Sequence, residues 1–178
     1  MNRFAITLLA LFTAFLFVPA SHAQTLEFYG TVTGLYATNV PTQGGLPQTP
    51  PANTNTSTHS IGFGGGGTYN LLHIGIFQIG LDARGSNHLG LGGVKLTAHV
   101  PVFKLKPYVQ GSVGYFNALH NGIDNRYTAA EFLAGVDIPL IRNFDLRVVE
   151  VGLGHAVNNN DGSKPTFITA STGVVIHF

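Results

Sequence analysis

The stretch Phe167–Phe178, FITASTGVVIHF, decides the fold. At period two it sends Ile168, Ala170, Thr172, Val174, Ile176 and Phe178 to one side, and Phe167, Thr169, Ser171, Gly173, Val175 and His177 to the other. The first row is mostly apolar; the second is mixed and small. Side chains alternate faces along a strand, so the segment can present an apolar face outward and a small or polar face inward. That partition, ending flush on an aromatic, suits the closing strand of a membrane-spanning β-barrel.

The chain opens MNRFAITLLALFTAFLFVPASHAQ, with a basic Arg3, an apolar run from Phe4 to Val18, and small residues at Ser21 and Ala23. This is the pattern of a secretory signal peptide, so residues 1–23 are expected to be removed and residues 24–178 to form one domain. A retained helical anchor fits less well, because the run is shorter than the ~20 residues a span needs. Removing 23 of 178 residues leaves 155, and removing Arg3 from the 9 basic residues leaves 8 against 8 acidic ones. That balance provides no basic face for nucleic acid. With no cysteine there is neither a lipid attachment point after the run nor a disulfide frame. The 23 glycines, 13 phenylalanines and 10% charged residues depart from soluble domains, which average about 25% charged residues and ~7% glycine. No mature segment reaches the length of a helical span. An exported chain of this kind has two homes: an outer-membrane barrel, or a soluble periplasmic β-sandwich or small barrel.

Alternation recurs along the whole mature chain. Strands are expected at 26–37, 59–69, 73–85, 89–100, 106–117, 127–138, 144–155 and 167–178. In the first, Phe28, Val32 and Tyr36 alternate with Glu27, Tyr29, Thr31 and Thr33. The segment 38–58 carries Pro41, Pro47, Pro50 and Pro51 and reads as a long loop, since proline cannot pair inside a sheet. Short turns are expected at 70–72, 101–104 and 139–143, and polar connections at 86–88, 118–126 and 157–165. The seventh strand is the least regular: Val149, Val151 and Leu153 face out and Glu150, Gly152 and Gly154 face in, which puts Arg147 on the outward row. Either a bulge shifts the register there or Arg147 sits at the membrane edge. The connections run long, short, medium, short, long, short, long, as expected when long loops face outside the cell and short turns face the periplasm. The fold read from this pattern is all-β, an eight-stranded antiparallel up-and-down transmembrane β-barrel.

These features resemble the small eight-stranded outer-membrane barrels of Gram-negative bacteria, the OmpA-like transmembrane domain and its OmpX-type relatives. The resemblance spans nearly all of residues 24–178 and rests on the leader, the alternation, RVVEVGLGH at 147–155 and STGVVIHF at 171–178. It implies a monomer in the bacterial outer membrane, bathed in its lipid, and inserted by the barrel-assembly machinery. In that family the terminal aromatic is part of the assembly signal, a role it implies for Phe178. Nothing follows strand eight here, so the peptidoglycan-binding domain of full-length OmpA proteins, and its wall-tethering role, are not expected.

The inward rows collect Glu27, Asp82, Arg84, Lys95, Glu131, Asp137 and Glu150. A basic side chain facing lipid at mid-depth would cost ~2–4 kcal/mol, and an eight-stranded interior is just filled by side chains. The seven are therefore read as a lumen polar network rather than a catalytic or conducting cluster. The inward glycines leave room for water, which keeps a small porin-like leak channel as the alternative. Gly64–Gly67 lack the Lys-Ser/Thr pair and following helix of a phosphate loop, and are read as easing strand curvature. The seven mature histidines have neither helical spacing nor cysteine partners, so no metal or cofactor is expected. Outer-membrane lipid A deacylases on this scaffold use a histidine with a serine two residues later. Here His155 is followed by Val157, which leaves no attacking hydroxyl, so no enzyme is expected. The uncharged loop 38–58 is the candidate contact for a surface ligand. The expected function is structural or surface-interacting.

If Phe178 is an assembly signal, deleting it should lower the fraction of chain inserted in cells more than it lowers the stability of barrel already folded. Cell fractionation beside urea unfolding of the refolded protein separates the two effects; unchanged insertion would reject the role.

Overall fold

The computed structural model describes residues 26–40, 56–100, 104–120, 123–158 and 165–178. They form eight strands: β1 (Leu26–Val40), β2 (Thr56–Ile74), β3 (Phe77–Ser86), β4 (Leu89–Ala98), β5 (Lys106–His120), β6 (Ile123–Ile141), β7 (Phe144–Asn158) and β8 (Thr166–His177). Each pairs antiparallel with the next, and β8 returns to β1, closing the barrel. The seam runs in unbroken register from Glu27 opposite His177 to Thr38 opposite Thr166. Closure leaves no strand edge unpaired, the condition for placing a sheet in hydrocarbon.

The period-two partition holds around the wall. On β8, Phe167, Thr169, Ser171 and Val175 are buried in the lumen, while Ile168 and Val174 are exposed outside. Phe28, Val32, Phe63, Leu81, Val113, Phe132 and Leu153 continue the exterior, with Phe63 77% exposed. Water-soluble monomers rarely expose a contiguous apolar patch beyond a few hundred Å². A belt of this kind around the whole cylinder belongs against lipid, and the soluble alternative fails on it.

Strands β1, β2, β5, β6 and β7 are longer than the alternation alone predicts, β3 and β4 are shorter, and several connections move. The expected turn at 70–72 instead holds an irregularity in the β2–β3 register. The chain reverses later, at Gly75–Ile76, where Gly75 adopts φ +61°, a left-handed conformation that glycine takes without steric cost. Much of the expected loop 118–126 is strand: Ala118 pairs with Asn125, Leu119 with Asp124 and His120 with Ile123. Polar composition does not prevent pairing there, because the ladder is made by backbone groups. β3 and β4 are separated only by Asn87 and His88, whereas at the opposite end Val100 bridges Leu105 across a longer connection. The expected contrast between long and short connections is accordingly blunted. Residues 41–55 of the 38–58 loop and 159–164 of the 157–165 loop lie outside the described residues.

The irregularity in β7 resolves as a bulge, and the membrane-edge placement of Arg147 is corrected. Its pairing with β8 slips between Arg147 and Glu150, and β6 slips against it between Val136 and Asp137. Val148 and Val149 both face out, and Asp145, Arg147 and Glu150 all face in. The extra residue reverses the alternation and brings the guanidinium into the lumen. A bulge also interrupts the backbone ladder on a lipid-facing wall. Here the Thr172 hydroxyl of β8 donates to the Arg147 carbonyl at 2.9 Å, which explains a polar residue on an apolar row.

Replacing Thr172 with valine should leave that carbonyl without its partner and destabilise the barrel by about 1–3 kcal/mol, the penalty for an unsatisfied buried acceptor. Thr172→Ser should retain most of the stability. Urea unfolding in lipid vesicles measures both; equal stability of T172V and the parent would remove the bulge-capping role.

Candidate functional site

The lumen is stacked in three tiers. At the mouth where β1 begins and β8 ends, His177 Nε2 lies 2.7 Å from Asp145 Oδ2, which also accepts a hydrogen bond from Lys106 Nζ at 2.6 Å. On its other side His177 Nδ1 is 3.6 Å from Glu27. Glu27 in turn accepts from Lys95 at 3.1 Å and from the Asn70 amide at 3.0 Å. β8, β7 and β1 are thereby joined by side chains at the point where the cylinder closes. Just outside, on the β4–β5 connection, burial pushes the His99 imidazole below the usual histidine range, with Lys106 and His73 acting in the same direction.

The middle tier is built on Arg147. Its guanidinium lies between the Tyr29 and Tyr108 rings, 4.3 and 4.9 Å from their centroids. It donates to both carboxylate oxygens of Asp137, at 3.0 and 3.2 Å, and to Glu150 at 3.2 Å. Glu150 also accepts two bonds from Arg84, at 3.0 and 2.8 Å, and one from the Tyr108 hydroxyl at 2.7 Å. Asp82 accepts from Tyr29 at 2.9 Å and from Thr68 and Gln110 at 2.7 Å each. Glu131 accepts from Thr169 at 2.8 Å and lies 3.7 Å from Arg84. The tyrosines fit because their cross-strand partners are bare: a Cβ at Gly66 would strike the Tyr29 ring, and one at Gly135 the Tyr108 ring. Within the glycine run on β2, Gly66 therefore makes room for a lumenal side chain.

At the loop end the lumen turns apolar. Leu35, Leu89, Leu91, Phe116, Tyr127 and Phe167 form one buried cluster, filled in by alanines. The Phe116 ring stacks on Phe167 with centroids 4.8 Å apart and on Tyr127 at 6.2 Å. Beneath this plug, beside Arg84 and lined by Thr31, Thr33 and Ser171, is a void of about 20 Å³. That is room for roughly one water molecule.

All seven charged residues expected in the lumen are there, and they are linked: Lys95 reaches Asp137 at 3.9 Å and joins the mouth to the middle tier. Several partners were not singled out. Asp145 and Arg147 were hidden by the bulge, and the signal for it is the Val148–Val149 doublet between two charged inward residues. Tyr29, Tyr108 and Gln110 lay on inward rows without a charge to mark them. The plug was missed because its residues are scattered along six strands and meet only at one height. Phe178 sits where closure ends: its backbone N–H donates to the Leu26 carbonyl at 2.9 Å and its ring meets Phe28 edge-on at 5.8 Å. One expectation needs correcting. His155 does have a hydroxyl neighbour, Thr166 Oγ1 at 3.1 Å, delivered across the β7–β8 pair rather than along the chain. Both residues are exposed, and among the described residues no carboxylate pairs with His155 to orient it as a base. No group of three or more metal-ligating side chains is assembled among the described residues.

No protein-family model and no curated protein matches this chain. Among solved structures it is similar to Neisserial surface protein A, at 16% identity and TM-score 0.48 over 85% of this chain and 97% of that one. It is also similar to the N-terminal β-barrel domain of Pseudomonas aeruginosa OprF, at 16% identity and TM-score 0.46 over 87% and 98%. A third is the Yersinia pestis attachment invasion locus protein, Ail, at 9% identity and TM-score 0.47 over 88% and 100%.

Breaking the middle tier should be costly. Arg147→Met leaves Asp137 and Glu150 buried without this partner and should destabilise the barrel by about 3–5 kcal/mol. Lys106→Met, at the mouth with its side chain 21% exposed, should cost clearly less. Parallel urea titrations in vesicles test the ranking; equal losses would mean that the network is not layered by burial.

Proposed function

We propose that this chain is a monomeric, non-enzymatic β-barrel protein of the bacterial outer membrane, closed to solutes. Its role is structural, with its loop end available for surface contacts. The observation that carries the reading is the lumen inside the apolar belt, occupied by one paired charge network and capped by the Phe116–Phe167–Tyr127 stack. A conducting pore needs a continuous wet path with mobile counter-ions. Here the carboxylates are taken up by arginine, lysine, tyrosine and threonine donors, and the void beside Arg84 has room for roughly one water. The charged lumen argues equally against a soluble role, because its apolar complement lies on the outside.

Outer-membrane lipid is the partner implied by the exterior, and the barrel-assembly machinery is the partner that a barrel of the outer membrane would need for insertion. A surface ligand would meet the 38–58 segment, whose flanks belong to β1 and β2 at the loop end. The non-enzymatic reading is supported by the His155–Thr166 pair, a base and a hydroxyl without, among the described residues, an acidic partner to orient the base.

Purified protein added to a planar lipid bilayer should give no single-channel steps, while migrating on gels with the heat-modifiable shift of a folded barrel. Steps at the first attempt in the heat-modifiable form would favour the porin-like leak instead. Deleting residues 41–56 should leave the gel shift intact, and its effect on adhesion of cells displaying the protein reports whether the loop end binds a ligand.

A further inference from the structure

The exterior is not evenly filled. At the closing seam it carries an open groove of about 400 Å³. The groove lies at Gly30 on β1, an outward position without a side chain, where an added Cβ would meet nothing within 4 Å. Val32, Phe63, Leu146 and Val174 stand around it. The one outward polar residue in the lining, Thr172, already donates its hydroxyl to the Arg147 carbonyl. No charged residue lines the groove. It thus offers a guest shape and dispersion contact, with no free donor to recognise a headgroup.

Its height decides which guest it meets. Gly30 pairs with Val174 close to where β1 begins at Leu26 and β8 ends at His177, so the groove opens in the half of the belt nearer those strand ends. The geometry points to a binding groove for one acyl chain of a phospholipid in the leaflet on that side. This inference rests on the outer-membrane reading proposed above and extends it from a uniform lipid-facing belt to a defined lipid position. The chain passes from one apolar environment to another, so no hydrophobic transfer drives it. Occupancy comes from van der Waals contact with walls on both sides of the chain, contact that a convex stretch of barrel does not provide.

The test uses the full barrel in phosphatidylethanolamine–phosphatidylglycerol vesicles containing a small share of phospholipid with a diazirine midway along one acyl chain. After irradiation, mass spectrometry should find adducts around Val32, Phe63 and Val174 several-fold above those at Leu96 and Val109, exposed outward residues of β4 and β5. Gly30→Leu, which fills the groove, should abolish the excess while leaving the control labelling and the gel shift unchanged. Labelling spread evenly around the belt would overturn the groove and leave the membrane reading intact. Absence of labelling anywhere would overturn the membrane reading, and the groove with it. Unlabelled groove residues beside labelled controls, together with a cross-linkable dimer that survives dilution with excess lipid, would assign the groove to a second copy of the chain and overturn the acyl-chain proposal.

Discussion

The backbone pairing of β8 with β1 is the constraint on which the rest of this molecule depends. In hydrocarbon no water can satisfy an open strand edge, and each unpaired polar group costs several kcal/mol. Twelve residue pairs in unbroken register, from Glu27–His177 to Thr38–Thr166, remove that edge. Closure then divides every strand into a row that meets lipid and a row that meets the lumen, so no charge can be placed without a decision about which side it faces. His177 ties this to chemistry, because the residue next to the chain's end contacts Asp145 on β7 and Glu27 on β1, the two strands flanking its own.

Irregularities in the wall follow from the same constraint. A regular β7 would have left Arg147 in lipid, where a guanidinium has no partner. One extra residue at Val148–Val149 turns it inward to Asp137 and Glu150 and sandwiches it between Tyr29 and Tyr108. The bulge creates its own problem, an interrupted ladder on a lipid-facing surface, and the Thr172 hydroxyl corrects it locally. Two features that look like defects in the sequence, an outward arginine and an outward threonine, are thus a single structural device.

What could be read from the sequence was whatever repeats every second residue. The alternation of Glu27, Tyr29 and Thr31 against Phe28 and Val32, repeated along the chain, was enough to place eight strands and to put seven charged residues inside. It failed where the periodicity slips or where polarity ceases to report pairing. Residues 118–120 and 123–125 pair as β5 and β6 although the stretch reads as a polar loop. The turn at Gly75–Ile76 lies within an apolar run, LLHIGIF, and is marked only by the glycine's φ. The lumenal plug was invisible for a different reason. Phe116, Tyr127 and Phe167 share a height rather than a spacing, and height depends on the registers of every strand between them.

The charge balance of the lumen explains the neutral donors that surround it. Among the described residues six carboxylates, Glu27, Asp82, Glu131, Asp137, Asp145 and Glu150, meet four fixed cations, Arg84, Lys95, Lys106 and Arg147, with His177 at the mouth. Four of the acids have a cation within hydrogen-bond distance. The other two, Asp82 and Glu131, approach only Arg84, each at 3.7 Å. These are the acids held by neutral groups: Asp82 by Tyr29, Thr68 and Gln110, and Glu131 by Thr169. Hydroxyl and amide dipoles replace the water a buried carboxylate loses, at no cost in further buried charge. Arg84 is then the hinge of the electrostatics, the shared counter-charge of Asp82, Glu131 and Glu150. Its loss would leave Asp82 and Glu131 without a cation and Glu150 with Arg147 alone, whereas losing Lys106 would leave Asp145 still in contact with His177. Position in the network, more than the strength of any single pair, decides which lumenal residue the barrel can do without.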